Sequence, residues 1–476
     1  MIDVLFIVPP FKYAEMDEAG PVCPHLGAAY IAAFLEKNSY KVKILDAYAL
    51  KLSPEQIADY LRKNSARIVG IGAVTAEFPS SVELMRVVKK VNKEIVTVLG
   101  GPHVCIMPET TARPEIDYIV IGEGEKTMLE LADFIIRKKG SISKISGIAY
   151  KKEGRLHFNK PRGLIEDLDS LPFPAYHLLP MDRYRPYAIY DMGKKFCSVI
   201  TSRGCPFACT YCTSSAVFGH RFRTMSPQKV FEMLKMLYDM YGIRHIYFQD
   251  DEFTINNDRV FQICDLIIKN NLDIIWECLS RVSDVNDKLL EKMYRAGCRG
   301  IVYGAECGYQ EGLEKINKKI TLEQIRNAVT LSKKHRMHTR ASFMMGFPWE
   351  SEKEIRKTIN FATSLNVDIV YFQILTPYPG TKIYNEVKNA GLIVKDDWTN
   401  YVQHSIVGTE PLIRTRYLTN KQLQYFNALA FKEFYFRPLY IFKQLLSMRK
   451  FSQIKRYVSV GSMLSRNIIK RLLKKH

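Results

Sequence analysis

The sequence predicts an α/β protein with three parts. An N-terminal doubly wound parallel sheet comes first, then a partial (β/α)6 barrel, then a helical, basic C-terminal region. Two observations carry this. Short apolar strands alternate with amphipathic helices over residues 1–135, and the alternation resumes near Phe196 for six more units, two short of a full eightfold barrel. At 476 residues the chain exceeds one hydrophobic core. Its 47% hydrophobic and 25% charged residues exclude a disordered, collagenous or coiled-coil chain.

The first strands are expected at Val4–Val8, Val42–Leu45, Ile68–Ala73, Thr97–Leu99 and Tyr118–Ile121. They are nearly continuously apolar, as strands buried on both faces must be. Leu26, Ile31, Phe34 and Leu35 mark the helix between the first two. Open sheets of this kind bind ligands beyond the carboxyl ends of their strands. Those ends read Val8-Pro9-Pro10, Thr75-Ala76-Glu77, Gly100-Gly101-Pro102-His103 and Gly122-Glu123-Gly124-Glu125. Residues 140–190 hold an expected hairpin, GIAYKKEGRLHF, and a Pro-rich connector, and read as a linker. In the barrel region Ser226-Pro227 caps a helix that Gly242 closes. Strands follow in HIYFQDDEF, IIWECLSRV, GIVYGAECG, ASFMMGFPWE and VYFQILTPYPG. The expected division is 1–139, 140–190, 191–400 and 401–476.

Three of the ten cysteines fall within eight residues, in SRGCPFACTYC: Cys205, Cys209 and Cys212. Three thiolates on one loop match three corners of a cubane iron–sulfur cluster. A structural zinc site takes four protein ligands, and no fourth lies nearby. No disulfide framework or leader pattern is present, so a reducing cytoplasm is expected.

This spacing, with Arg203-Gly204 ahead and Tyr211 before the last cysteine, resembles the radical S-adenosylmethionine (SAM) superfamily over roughly 196–400. The resemblance implies a [4Fe–4S] cluster with one open iron that chelates SAM, and a 5′-deoxyadenosyl radical formed by one-electron cleavage. It also implies a one-electron reductase, ferredoxin or flavodoxin, as partner. The SAM contacts it implies are Tyr211; Asp250, Asp251 and Glu252 near the amino group; Arg281 and Glu306 near the carboxylate and ribose; and Gly346 and Pro348 near the adenine. Read from the residues alone, the acidic trio caps a helix, Arg281 and Glu306 form a rim salt bridge, and Gly346-Pro348 is a strand-to-helix turn.

Residues 1–135 lack the GxGxxG of a dinucleotide site. The set HLGAAYIAAFLE, VKILDA, VGIGAVTAEF, VLGGPHVCIMPE and DYIVIGEGE resembles the cobalamin-binding domain found ahead of radical SAM cores. The implied cobalamin contacts are Thr75, Gly100, Gly101, Pro102, His103, Gly122, Glu123 and Gly124. The Asp-x-His-x-x-Gly motif that donates a lower axial ligand is missing, and neither His25 nor His103 has the Asp. Cobalamin is therefore expected base-off, with His103 serving the cofactor edge or a loop hydrogen bond.

The formal net charge is +20, which suggests an anionic partner. Between Phe431 and His476 twelve basic residues face one acid, interspersed with large apolar residues. Such a segment can lie on an anionic membrane face or cap the barrel, and no nucleic-acid-binding signature accompanies it. No membrane-spanning stretch is present. The reading is a cobalamin-dependent enzyme that methylates or cyclises unactivated carbon of a lipophilic small molecule. It resembles most the anaerobic magnesium-protoporphyrin ester cyclases and the hopanoid- and lipid-modifying group. Peripheral contact at the membrane inner face is expected through 431–476. The alternatives are a cobalamin or redox sensor, or a tRNA-modifying radical SAM enzyme.

Overall fold

The computed structural model describes residues 1–10, 20–187, 190–395, 398, 401, 410–447, 461, 462, 465, 468, 469 and 471. The N-terminal sheet has seven strands: β1 (Ile2–Val8), β2 (Val42–Asp46), β3 (Ala66–Gly72), β4 (Val96–Gly100), β5 (Tyr118–Val120), β6 (Ile148–Lys152) and β7 (Arg155–Phe158). Their order is β2-β1-β3-β4-β5-β6-β7, with β1 to β5 parallel. Helices α1 (Leu26–Lys37) and α5 (Gly124–Ile136) cover one face, and α2 (Pro54–Lys63) and α3 (Phe78–Val91) the other. The period-two geometry of a strand sets this division. On β1, Val4 and Phe6 join the first core while Leu5 and Ile7 join the second. A short helix, α4 (Pro102–Ile106), follows β4.

The expected hairpin forms as β6 and β7, but it is not a free linker element. β6 pairs antiparallel with β5 and extends the N-terminal sheet. Its two-residue turn uses Glu153 at φ +53° and Gly154 at φ +74°, the sign of a type I′ connection. The stub of β5 alone would leave a bare edge, and the hairpin covers it.

The barrel region contains β8 (Phe196–Val199), a ribbon of β9 (Ser202–Arg203) and β10 (Arg223–Thr224), then β11 (His245–Phe248), β12 (Ile275–Ser280), β13 (Cys298–Glu306), β14 (His338–Met345) and β15 (Ile369–Ile374). Six of these form a parallel sheet in order β15-β14-β13-β12-β11-β8, so the barrel is open between β8 and β15. Helices between the strands are α6 (Ser214–Phe218), α7 (Pro227–Tyr241), α8 (Asn257–Lys269), α9 (Asp287–Arg295), α10 (Gln310–Lys315), α11 (Leu322–Lys334) and α12 (Glu352–Ser364). Ser226 caps α7 as the sequence predicts, and Gly242 ends it at φ +66°. The N-terminal domain and connector line the open seam. Tyr30 and Tyr176 donate to the Ile200 and Ser198 carbonyls at 3.0 and 3.5 Å, while the Tyr190 and Tyr371 hydroxyls share a 2.5 Å hydrogen bond. One apolar core therefore runs through both domains.

Helices α13 (Lys382–Asn389), α14 (Asn420–Tyr435) and α15 (Pro438–Ser447) follow β15. α14 covers the β15 edge, where the Tyr435 hydroxyl accepts from Val370 N and donates to Val370 O. The start of the basic segment is thus a structural cap. α15 differs: Leu439, Ile441 and Phe442 are exposed. Eight of the twelve basic residues of 431–476 lie outside the described residues. Among the described residues no helix is long and apolar enough to cross a membrane.

Candidate active site

A cavity of about 1300 Å3 lies between the carboxyl ends of the two sheets. Val8, Gly72, Gly100 and Gly122 line one side, and Gln249, Ser280, Gly304 and Gln373 the other. That volume exceeds the ~300–1,000 Å3 of a single small-ligand pocket.

The cysteine loop runs from β9 to α6 and is pinned on both flanks. Thr210 N donates to Ile316 O, Ile383 N to Thr210 O, and the Asn317 amide to Ala208 O at 2.8 Å. Cys205 and Cys209 are half-buried, while Cys212 is exposed and lines the cavity. Burial pushes the Cys205 thiol up to about 11 and raises that of Cys212. Among the described residues no three His, Cys, Asp or Glu side chains converge as ligands of one metal ion. The donor set fits a cubane, which gives each thiolate its own iron.

Tyr211 joins this loop to the rim of β13. Lys318 Nζ donates to the Tyr211 hydroxyl at 3.3 Å and to Glu306 Oε1 at 2.9 Å. Glu306 holds φ +63°, a strained setting for a non-glycine residue, and Gly304 clears the space that Glu306 and Lys318 occupy. Arg281 stacks on Phe207 at 3.6 Å and donates to Lys318 O, its buried Nε has no partner among the described residues, and the residue lines the cavity. Glu252 is also buried on the wall, and burial pushes its carboxyl up to about 8. Asp251 accepts from Ser214 beside the cysteine loop.

Asp250 lines the cavity, and its carboxylate is held by neighbouring donors. Its carboxylate accepts from Thr201 N at 2.8 Å, Thr201 Oγ1 at 2.9 Å and Ser202 Oγ at 2.5 Å, and so staples β9 to β11. Gly346 and Pro348 are absent from the cavity wall. Glu350 accepts from Gly346 N and Phe347 N at 2.6 and 3.0 Å, and Leu423 covers the turn. They form the strand-to-helix turn that the residues alone suggest.

On the N-terminal side Gly100, Gly101, Pro102, Gly122 and Gly124 line the cavity. Gly122, at φ +82°, has open space where a Cβ would stand, so backbone faces a ligand directly. Thr75 and His103 do not line it. His103 is fully buried and stacks on Phe78 at 4.1 Å; its Nε2 pairs with Thr110 Oγ1 at 2.9 Å and its Nδ1 with Thr75 Oγ1 at 3.4 Å. Burial lowers its pKa to about 4. The loop hydrogen bond is its role here. His25, by contrast, lines the cavity.

Glu123 also lines the cavity, but its carboxylate is committed to the barrel. Its carboxylate is buried against the barrel, taking Arg203 at 2.8 Å and Arg223 at 2.9 Å, while Glu125 takes Arg203 at 2.6 Å. Arg223 also donates to Ile165 O at 2.6 Å. These glutamates tie the N-terminal domain to the strand that leads into the cysteines. Arg203 stands in the quoted motif, but its partners lie about eighty residues away, so no local signal reveals the pairing.

Two α/β domains that share one cavity, one of them presenting three thiols on a single loop, define a cofactor-dependent enzyme of the radical type. The B12 binding domain family model matches residues 15–132, and the Radical SAM superfamily model residues 199–362. An uncharacterized methyltransferase of Pyrococcus horikoshii is 37% identical over 95% of this chain and 96% of its own. The anaerobic magnesium-protoporphyrin IX monomethyl ester cyclase of Rubrivivax gelatinosus is 31% identical over 81% of this chain and 70% of its own. The solved structure of OxsB, a cobalamin-dependent S-adenosylmethionine radical enzyme with aqua-cobalamin and S-adenosylmethionine bound, aligns at TM-score 0.76. It covers 98% of this chain and 72% of OxsB at 17% identity, a likeness of fold. The chain belongs to the cobalamin-binding radical SAM enzymes, whose cofactors are cobalamin, SAM and a [4Fe–4S] cluster.

Proposed function

We propose that this protein transfers a methyl group to an unactivated carbon, using both cofactors in the one cavity. The observation that supports this is the shared wall: Cys212, Glu252 and Arg281 from the barrel meet Gly100 and Gly122 from the N-terminal sheet around 1300 Å3. The more similar relative in the comparison above is named a methyltransferase, and the cyclase follows at lower identity.

Bound together, the cofactors supply a hydrogen-abstracting 5′-deoxyadenosyl radical and a transferable methyl group. The residues do the rest. Cys205, Cys209 and Cys212 would hold the cluster by three thiolates, which would leave it a site for SAM. Glu252 as carboxylate would take the SAM amino group, with Asp251 beside it, and Arg281 Nε would donate to the SAM carboxylate. Lys318 holds Glu306 and Tyr211 in place at the rim. The barrel wall and the covering domain keep water from the radical. Gly100, Gly101, Pro102, Gly122 and Gly124 form the cobalamin cradle. In this reading residues 1–139 form the cobalamin unit, with the hairpin of 140–190 added to its sheet, 191–400 the radical core, and 401–476 the cap and tail.

The substrate is a lipophilic small molecule met at an anionic membrane face, where the exposed Leu439, Ile441 and Phe442 of α15 and the basic tail would dock. A ferredoxin or flavodoxin supplies the electron.

The test is to reduce the reconstituted protein anaerobically with SAM and a cell lipid extract. 5′-Deoxyadenosine and S-adenosylhomocysteine rising together support methyl transfer. 5′-Deoxyadenosine alone points to cyclisation or oxidation, and neither product points to a sensor.

A further inference from the structure

We infer that His25 donates a hydrogen bond to bound cobalamin and is kept from ligating the cobalt by its own helix cap. This rests on the cobalamin assignment above and adds a residue to it. His25 precedes α1, and its Nδ1 accepts the backbone N–H of Ala28 at 3.1 Å. To accept, Nδ1 must carry a lone pair and no proton. Burial lowers the ring's pKa against the pull of Asp46, so the ring is neutral and its single proton sits on Nε2. An Nε2 that carries hydrogen has no lone pair for a metal. Ligation would require breaking the cap or forming an imidazolate.

The same geometry aims the proton at the cavity. His25 lies on the wall, and a Cβ on Gly72 would stand 3.0 Å from Cε1 and 3.1 Å from Nε2. Glycine at the carboxyl end of β3 thus makes room for the ring. Among the described residues no protein group accepts a hydrogen bond from Nε2. The crevice it faces is the topological switch point between β1 and β3, where an open sheet of this order takes its ligand. A neutral N–H donor there suits an oxygen acceptor. Cobalamin offers two kinds, amide carbonyls around the corrin and the phosphate of its nucleotide loop.

The experiment uses the full-length protein and hydroxocobalamin, with affinity read by absorption. His25→Ala removes cap and donor. His25→Asn keeps a side-chain oxygen to cap α1 but is too short to reach the cavity. Both variants are expected to bind about fivefold or more weakly, the loss of one neutral hydrogen bond. His25→Asn should melt like the wild type, which separates the cofactor contact from the cap. Repeating the titration with cobinamide, which lacks the nucleotide loop, names the acceptor. A persisting loss means a corrin amide, and a vanishing loss means the phosphate. In wild type the Co(II) spectrum by electron paramagnetic resonance should show no axial nitrogen splitting. Splitting that disappears in His25→Ala would overturn the inference by making His25 a ligand. Unchanged affinity in both variants would overturn it by leaving only a cap. A wild type that binds no cobalamin would instead remove the assignment beneath it.

Discussion

Single side chains divide here by what surrounds them rather than by the motif that contains them. Asp250, Asp251 and Glu252 are consecutive and all line the cavity, yet the Asp250 carboxylate accepts from Thr201 and Ser202 whereas that of Glu252 accepts from Thr254. Burial keeps Glu252 protonated up to about 8 in the free site, but only its carboxylate pairs with an ammonium. SAM binding should therefore strengthen as pH rises from about 6 to about 8 and then level. Glu252→Gln should flatten that profile and weaken binding about tenfold, as loss of a charge-assisted hydrogen bond does. Isothermal titration across pH reads both. Cys209→Ala should lose the cluster, whereas Cys264→Ala, changed within the core of α8, should keep it. Iron and sulfide analysis after anaerobic reconstitution decides, and full iron in Cys209→Ala would refute the assignment. His103 titrates in the opposite sense to Glu252. Its pKa falls from 6.5 to about 4 on folding, so the native state favours the neutral ring. That stability is whole above pH 6.5 and is lost as pH falls toward 4. His103→Gln should remove this part of the acid sensitivity, as melting curves at descending pH would show.

At the scale of elements, the strand ends carry the site and the glycines at those ends are not equivalent. Gly101 has φ +96°, and a Cβ there would meet Ala73 N and O at 2.7 and 2.8 Å. Gly101→Ala should destabilise the N-terminal domain by about 1–3 kcal/mol, read by chemical denaturation. Gly122 has similar φ but open space, so Gly122→Ala should cost about 1 kcal/mol of strain and weaken cobalamin binding more than it lowers stability. Equal effects of both changes on the two readouts would refute this distinction. The strands, the two sheets, the α7 caps and the cysteine loop were legible in the sequence because each is a local pattern: apolar runs, Ser-Pro with a closing Gly, and thiols at fixed spacing. The pairing of β6 with β5, the stapling of Asp250 and the burial of His103 behind Phe78 were not. Each is settled by contacts that only the folded chain brings together. The Gly-Glu-Gly-Glu loop shows the limit most clearly. Its glycines face the cavity as a ligand loop should, while the Glu123 carboxylate turns to two arginines of the other domain.

For the whole molecule, that arginine–glutamate junction sets how the two domains meet. Arg203, Arg223, Glu123 and Glu125 are all buried, and removing the Glu123 carboxylate leaves Arg203 with Glu125 but takes from Arg223 its carboxylate partner in the interior. Glu123→Gln should cost about 3–5 kcal/mol in denaturant unfolding, far more than an exposed pair. A loss below about 1 kcal/mol would show that the junction is solvated. The basic tail is tested by ending the chain at Ala430. Full-length protein should sediment with anionic vesicles, less at high salt, and not with zwitterionic ones. A folded truncation that still sediments equally would leave 431–476 as a cap alone.

The central claim is that cluster and cobalamin occupy one cavity. Electron paramagnetic resonance of the protein loaded with Co(II) cobalamin, with its cluster oxidised and then reduced, tests it most directly. A paramagnetic reduced cluster across a shared cavity should broaden the cobalt signal and speed its relaxation, and the Cys209→Ala protein, lacking the cluster, should show neither change. A cobalt signal identical in both cluster states, with full loading of both cofactors, would contradict the account.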